Sequence, residues 1–132
     1  MENLVNKIGL LHRALEKAQL PHAFGGALAL AWCTERARGT IDIDINILIP
    51  EADYQLGINA LPRDVKVTRK DLQMLKREGQ VRLWWQKTPL DVFFNSTEFH
   101  HQLFDRVRWE TFAGESIPFL SCYDLAVFKA FF

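Results

Sequence analysis

The stretch TIDIDINILI, residues 40–49, has the most regular pattern in the chain. Isoleucine at 41, 43, 45 and 47 alternates with other residues, and Pro50 follows directly. A period of two is typical of a β-strand with one face in the core. Asp42 and Asp44 then project from the same face, because side chains two positions apart in a strand point the same way. The stretch therefore predicts a strand that presents two carboxylates together.

Two carboxylates at this spacing repel each other. A cation between them would remove the repulsion, and Mg²⁺ is typically held by one or two carboxylates plus substrate phosphates. The alternative is that Asp42, Asp44 and Asn46 form the solvent-facing side of an amphipathic strand. The strand taken alone leaves both interpretations open.

A third carboxylate, Asp91, lies in the apolar stretch LDVFF at 90–94. A single carboxylate in such a strand is costly to bury unless it is paired or bound to metal. If this strand runs beside residues 41–48, Asp91 joins Asp42 and Asp44. Three carboxylates can hold two metal ions about 3.5–4 Å apart, the arrangement used for in-line phosphoryl displacement. The alternative for Asp91 is a solvent-facing position on an edge strand.

The pair Gly25-Gly26 follows a short predicted strand at 22–24 and precedes a predicted helix at 27–35, which is rich in Ala and Leu. Glycine lets backbone amides approach a phosphate closely, and a helix N-terminus favours anions. A Gly-Gly pair by itself is weak evidence, since most are merely turns. Its position between a strand and a helix, upstream of the acidic strand, makes it a candidate phosphate-binding turn.

The rest of the chain alternates helical and strand patterns. Apolar residues at helical spacing predict a first helix at 3–19. Further helices are predicted at 51–60, 67–78, 97–105 and from Ser121, and hairpins at 80–86 with 90–95 and at 107–112 with 116–120. This order predicts an α+β, or mixed α/β, domain in which helices cover a small sheet.

Composition bounds the class of protein. The chain has 132 residues, 48% of them hydrophobic, which suits one domain spanning 1–132. Sixteen basic and sixteen acidic residues give zero formal charge, so there is no whole-molecule attraction to nucleic acid or membrane. No apolar run approaches the length of a membrane span. Cys33 and Cys122 lie far apart among apolar residues, which predicts reduced thiols and a cytoplasmic protein.

The last predicted helix ends on Phe131-Phe132, with no C-cap and no polar tail. This ending predicts that the chain is truncated at its C-terminus. Phe128, Phe131 and Phe132 also predict a buried contact, made with missing residues, with a partner or with another copy in an oligomer.

Residues 66–82 are locally basic. Arginine and lysine lie at 66, 69, 70, 76, 77 and 82. Such a run forms either a solvated face or a surface that receives an RNA or a nucleotide acceptor. The sequence leaves these two interpretations open.

Three motifs together resemble the DNA-polymerase-β-like nucleotidyltransferase superfamily. They are GGALA at 25–29, RGTIDID at 38–44 and LDV at 90–92. Within the superfamily they are most similar to AbiEii-type nucleotidyltransferases, which are toxins of type IV toxin–antitoxin systems, and to uncharacterised relatives. The resemblance runs from about residue 20 to the end. It implies the nucleotidyltransferase fold, a small mixed sheet flanked by helices.

The resemblance also implies roles for the acidic residues. Asp42 and Asp44 would be the paired metal ligands. Asp91 would be the third carboxylate, shared between metal binding and the role of base for the acceptor hydroxyl. Two Mg²⁺ ions are expected with a nucleoside triphosphate as substrate.

The remaining implied residues contact the nucleotide. Gly25 and Gly26 would cradle the triphosphate, Lys129 would lie near the phosphates, and Arg38 would lie at the rim of the site. Lysine in the last turn of a helix is also common as a charge that complements the helix dipole, and Arg38 has a similar alternative as an ordinary loop residue. Many superfamily members have Gly-Ser where this chain has Gly25-Gly26, so the contact from the serine hydroxyl is missing here, as it is in AbiEii-like proteins.

The function implied is a Mg²⁺-dependent nucleotidyltransferase. It would transfer a nucleotide to a hydroxyl on RNA (tRNA included), on protein or on a small molecule, with an antitoxin as partner. The alternative is a catalytically inactive nucleotidyltransferase-like domain used for binding or interaction. Family members usually continue beyond the lysine-bearing helix into further helices, and this chain ends there.

Overall fold

The predicted acidic strand lies inside a mixed β-sheet. The computed structural model describes residues 4–25, 42–95, 107–112 and 114–121. Within them, one sheet of seven strands has the order β3-β4-β5-β2-β1-β7-β6. The strands are β1 (His22–Phe24), β2 (Ile43–Pro50), β3 (Val65–Lys66), β4 (Gln80–Trp85), β5 (Thr88–Asn95), β6 (Arg108–Phe112) and β7 (Glu115–Phe119).

The sheet is mixed because two of its pairings are parallel. Strand β2 pairs in parallel with β5 and antiparallel with β1, and β1 pairs in parallel with β7. The pairs β3–β4, β4–β5 and β6–β7 are antiparallel. Both predicted hairpins are therefore confirmed, and so is the mixed α/β fold class.

Three helices are described: α1 (Leu4–Lys17), α2 (Tyr54–Ala60) and α3 (Arg69–Glu78). A 3-10 turn at Glu51–Asp53 precedes α2. Helix α3 begins at a capping box between Thr68 and Asp71 and ends at Gly79, whose φ of 73° is the left-handed conformation that glycine adopts readily. No helix among these described residues is long and apolar enough to cross a membrane.

The core lies between the sheet and these helices. Ile43, Ile45 and Ile47 are fully buried, as their alternation predicted. Ile8, Leu11 and Leu15 of α1 are buried as well, so α1 contributes an apolar stripe. Lys7 is also buried, and its Nζ donates to the Trp85 carbonyl at 3.0 Å and to Thr88 Oγ1 at 2.7 Å. These bonds attach α1 to the connection between β4 and β5.

Two details differ from the sequence prediction. Strand β5 begins at Thr88, so the connection from β4 is only Gln86-Lys87 and the hairpin is tighter than expected. Strand β3 was not predicted, because two residues are too few to show an alternating pattern. The helices predicted at 27–35 and 97–105, and the last helix beyond Ser121 with its terminal phenylalanines, lie outside the described residues, as do both cysteines.

Candidate metal centre

Asp42, which directly precedes β2, comes together with Asp44 on β2 and Asp91 on the neighbouring strand β5. The parallel register of β2 and β5 places Asp44 directly opposite Asp91, and Ile43 opposite Leu90. One carboxylate oxygen from each of the three aspartates lies within 4.8 Å of the others. The sequence predicted that Asp91 would join the other two aspartates only if its strand ran beside residues 41–48. The parallel pairing of β2 with β5 meets that condition.

Asp44 is the most constrained of the three carboxylates. Its side chain is partly buried, and its buried Oδ1 has no hydrogen-bond partner among the described residues. Burial raises the pKa of Asp44 to about 7, and a hydrogen bond to Asp91 and the charges of Asp91 and Asp42 add to the rise, which Arg82 opposes. The ionised form of Asp44 is therefore disfavoured unless a cation lies close to it.

Arg82 binds Asp91 through two hydrogen bonds. Its Nε donates to Asp91 Oδ1 at 2.7 Å and its Nη2 donates to Asp91 Oδ2 at 2.9 Å, a bidentate arrangement. The same Nη2 lies 3.7 Å from Asp42 Oδ2. These contacts raise the pKa of Arg82 above its ordinary value, first through the hydrogen bond to Asp91. A guanidinium thus supplies part of the positive charge that the three carboxylates require.

This role of Arg82 was not predicted from the sequence, in which Arg82 belongs to the basic run at 66–82. The other five basic residues of that run are exposed. The signal was in the hairpin: a connection of two residues pairs Trp85 with Thr88 and hence Arg82 with Asp91. The sequence prediction had a longer connection, which leaves the register of β4 against β5 open. The ion pair between Arg82 and Asp91 could therefore not be deduced from it.

Gly25 lies directly after β1 and beside Asp44. Its amide donates to the Asp44 carbonyl at 3.0 Å, which continues the β1–β2 ladder. A Cβ at this position would lie 3.0 Å from Leu120 Cδ1 and 3.2 Å from Asn46 Nδ2, so the packing leaves little room for a side chain. Gly25 therefore permits a close approach of backbone and neighbours, but its own N–H is already used. Gly26, Arg38 and Lys129 lie outside the described residues.

The face that carries Asp44 is not simply open to solvent. Asn46 and Leu48, two and four residues further along β2, are only 4% and 7% exposed. Asn46 Oδ1 has no hydrogen-bond partner in the described part of the chain. The alternative interpretation was that Asp42, Asp44 and Asn46 form the solvent-facing side of the strand. It is wrong for Asn46, which is buried.

The donor set fits a hard divalent cation. It consists of carboxylate oxygens only, which are the ligands that Mg²⁺ and Mn²⁺ prefer. The unpartnered Oδ1 of Asp44 is a ligand atom without a competing hydrogen bond in the described residues. Asp91 differs, because both of its oxygens accept hydrogen bonds from Arg82. A metal bound here would have to share Asp91 with Arg82 or displace it.

No protein-family model and no curated protein matches the sequence. Among solved structures, the chain is similar to ANT(2'')-Ia in complex with adenylyl-2''-tobramycin, with a TM-score of 0.65 and 16% identity over 96% of this chain and 74% of that one. The solution structure of the antibiotic-resistance factor ANT(2'')-Ia gives a TM-score of 0.61 and 16% identity, covering 92% of this chain and 66% of that one.

A third solved structure comes from Thermotoga maritima and is assigned as a nucleotidyltransferase. It gives a TM-score of 0.60 and 15% identity, covering 90% of this chain and 78% of that one. At sequence identities this low, the similarity to these three structures shows the fold alone. By that architecture, a mixed sheet flanked by helices, the chain has the nucleotidyltransferase fold.

Proposed function

We propose that this chain is a metal-dependent nucleotidyltransferase, which transfers a nucleotide from a nucleoside triphosphate to a hydroxyl acceptor. The observation that carries the proposal is the convergence of Asp42, directly before β2, with Asp44 on β2 and Asp91 on the parallel strand β5 of a nucleotidyltransferase fold, where one carboxylate oxygen of each lies within 4.8 Å of the others. The buried oxygen of Asp44, which has no hydrogen-bond partner among the residues that the structure describes, supports it, because an ordinary structural carboxylate would be hydrogen-bonded.

Asp42, Asp44 and Asp91 are the residues that would hold Mg²⁺. When bound, the metal would supply positive charge that activates the attacking oxygen and stabilises the departing pyrophosphate. Asp91 accepts the proton of the acceptor hydroxyl while the hydroxyl oxygen forms a bond to the α-phosphorus and the bond from that phosphorus to pyrophosphate breaks. Since Arg82 binds both oxygens of Asp91, Arg82 must release at least one of them for this role.

The phosphates are assigned to the glycine turn and two cations. Gly26 and the amides that follow it are proposed to cradle the triphosphate, since the amide of Gly25 is bonded to Asp44. Lys129 is proposed to lie near the phosphates, and Arg38 is proposed to lie at the rim of the site. The support for these residues is the motif resemblance and the position of Gly25 beside Asp44.

The acceptor is proposed as a hydroxyl on RNA, protein or a small molecule in the cytoplasm. A small molecule gains support from the similar fold of ANT(2'')-Ia, whose structure contains adenylyl-2''-tobramycin. A tRNA acceptor and an antitoxin partner rest on the resemblance to AbiEii-type proteins. Tobramycin, tRNA and total cell protein are therefore the first three acceptors to test.

Binding is the first experiment. Isothermal titration with a non-hydrolysable ATP analogue and Mg²⁺ compares the native chain with the Asp42→Asn/Asp44→Asn variant. We expect the variant to bind the metal-nucleotide at least about tenfold more weakly, because both paired ligands are lost. Asp64→Asn is the matched control, since Asp64 is an exposed carboxylate away from these strands. Equal binding by the native chain and the double variant would contradict the metal site.

Transfer is the second experiment. Each of the four α-labelled nucleoside triphosphates is incubated with Mg²⁺ and each acceptor, and the label on acceptor is measured. Asp91→Asn should lower transfer by roughly 10²–10⁴-fold, the range for loss of a positioned base. Tight metal-nucleotide binding with no transfer to any acceptor would instead favour an inactive binding domain.

A further inference from the structure

A second group of metal-ligating side chains lies where α1 leads into β1. His12, Glu16 and His22 each place one ligand atom within 4.8 Å of the others. None of the three belongs to the aspartate cluster, and no role in nucleotide transfer requires them. The two histidines are almost fully buried, and Glu16 is exposed.

Helix geometry explains why two of the three meet. His12 and Glu16 are four residues apart in α1, so their side chains lie one above the other on the same helix face. The chain reverses after Lys17 through Gln19, which has a left-handed φ of 59°. His22 then opens β1 and faces back towards His12, with the two ring centroids 5.1 Å apart.

The hydrogen bonds already orient His22 as a metal ligand. Its Nδ1 lies 2.8 Å from the Leu20 carbonyl, and since a carbonyl only accepts, this Nδ1 carries the proton. The Nε2 of neutral His22 therefore presents a lone pair, and it lies 2.9 Å from His12 Nδ1. Metal-ligating histidines typically donate their other ring N–H to a carbonyl or carboxylate in this way.

A metal ion can take the place of the proton between the two rings. Zinc–nitrogen bonds of about 2.0–2.1 Å in a tetrahedral site separate two ligand atoms by roughly 3.3 Å. The present 2.9 Å between His12 Nδ1 and His22 Nε2 needs only a small side-chain rotation to reach that separation. His12 would then carry its proton on Nε2, so both rings stay neutral and no net proton is released.

The surroundings favour a cation that prefers nitrogen. Glu16 supplies one carboxylate at the surface, while the Trp109 ring lies edge-on to the His12 ring, with the two ring centroids 6.2 Å apart. The nearby charges of Arg13 and Glu115 are paired with each other. Two imidazoles and one carboxylate suit Zn²⁺ and similar transition metals, whereas the aspartate cluster offers only oxygen.

We propose that His12, Glu16 and His22 form a second metal site, which binds Zn²⁺ or a similar divalent transition metal, with solvent completing the coordination. The site holds the end of α1 against β1. It is independent of the proposed transferase site, because the two clusters share no residue and differ in donor chemistry.

The test is a calorimetric titration of Zn²⁺ into the metal-free protein. It is done in the Asp42→Asn/Asp44→Asn background, so that the aspartate cluster does not contribute. We expect one Zn²⁺ per chain. Co²⁺ in place of Zn²⁺ should show the visible absorption of a tetrahedral nitrogen–oxygen site.

Two variants and a matched control decide the outcome. Glu16→Gln changes an exposed side chain and leaves both buried histidines in place, and His12→Gln removes one imidazole. Each should weaken Zn²⁺ binding by at least about tenfold, since even loss of a supporting residue costs that much. Glu51→Gln, an exposed carboxylate elsewhere, should leave the binding constant unchanged.

Two results would overturn the proposal. One is the absence of stoichiometric Zn²⁺ binding in this background, which would leave the His12–His22 pair as a hydrogen bond of the core. The other is a Glu16→Gln protein that binds Zn²⁺ as tightly as Glu51→Gln. Neither result would affect the Mg²⁺-nucleotide titration.

Discussion

At the scale of single residues, the candidate metal centre combines three partly buried carboxylates, which repel one another, with the guanidinium of Arg82, which attracts them. Asp44 would prefer to be protonated because it is buried beside two other carboxylates. Arg82 offsets part of this repulsion through its bidentate contact with Asp91.

Replacing Asp44 by asparagine should stabilise the metal-free protein more at pH 8 than at pH 5. The pKa of Asp44 rises from 3.8 to about 7 on folding, so the native chain loses stability as the pH rises through that interval. Asparagine carries no such penalty. We expect the extra gain in the free energy of unfolding at pH 8 to be on the order of 1–2 kcal/mol.

Urea denaturation at both pH values, in the presence of a chelator, measures this gain. Asp64→Asn is the control, because it removes an exposed carboxylate outside the aspartate cluster. A gain for Asp44→Asn that does not grow between pH 5 and pH 8 would show that burial does not penalise the charge of Asp44.

Replacing Arg82 by glutamine should tighten Mg²⁺ binding about two- to fivefold. The guanidinium competes with the metal for both oxygens of Asp91, and removing an ion pair of this kind is worth up to about 1 kcal/mol because the Arg82 side chain is 53% exposed. The metal dissociation constant is measured by calorimetry. Arg77→Gln, which removes an exposed arginine paired with Glu78, is the control. Weaker binding by Arg82→Gln would mean that Arg82 positions Asp91 instead of competing for it.

At the scale of elements, the position of the aspartates depends on how tightly helices pack on β2 and β5. Gly57 of α2 lies directly against the face opposite the aspartates. A Cβ at Gly57 would lie 2.6 Å from Phe94 Cε1 and 3.2 Å from Ile47 Cδ1, and both side chains are buried. Helix α2 can therefore approach the sheet only because this residue has no side chain.

Gly57→Ala should destabilise the fold by about 1–3 kcal/mol, the usual cost of overpacking a core, even though alanine is the better helix former. Gly9→Ala in α1 is a matched comparison. Its Cβ would meet only the ends of the flexible Arg13 and Glu115 side chains, at 3.2 and 3.3 Å, so its stability should be unchanged or higher. Thermal and urea unfolding measure both variants. Equal effects of the two substitutions would show that contact with Phe94 does not limit α2.

At the scale of the whole molecule, the sheet order predicts where the fold is most stable. Strand β2 is paired on both sides, whereas β3 and β6 are the outermost strands of the described sheet. Amides that need global unfolding to exchange are concentrated in central, well-packed strands. We therefore expect hydrogen exchange, followed by mass spectrometry, to be slowest in β2 and fastest in β3 and β6 among the strands.

A matched comparison for this experiment is the same peptides exchanged in denaturant, where the differences between strands should vanish. Exchange in β6 as slow as in β2 would mean that β6 is covered by residues beyond those described. Slow exchange in β2 would also mean that Asp44 is held on the most rigid part of the sheet, as a preformed metal centre requires.

The sequence by itself determined the features that depend on near neighbours. Alternation placed Asp42 and Asp44 on one strand face, helical spacing predicted α1, and the apolar runs predicted both hairpins. The motifs also pointed to the nucleotidyltransferase fold. Such patterns are readable because a strand or a helix repeats with a fixed period along the chain.

Only the tertiary structure decided which distant residues meet. The parallel pairing of β2 with β5 set Asp44 opposite Asp91, and the tight β4–β5 connection set Arg82 on the same carboxylate. The turn after α1 likewise brought His22 to His12. These contacts depend on strand order, register and chain reversal, and a shift of one residue would turn each side chain to the opposite face. Apart from the short β4–β5 connection, which bears on the Arg82–Asp91 pair, no local pattern in the sequence carries that information.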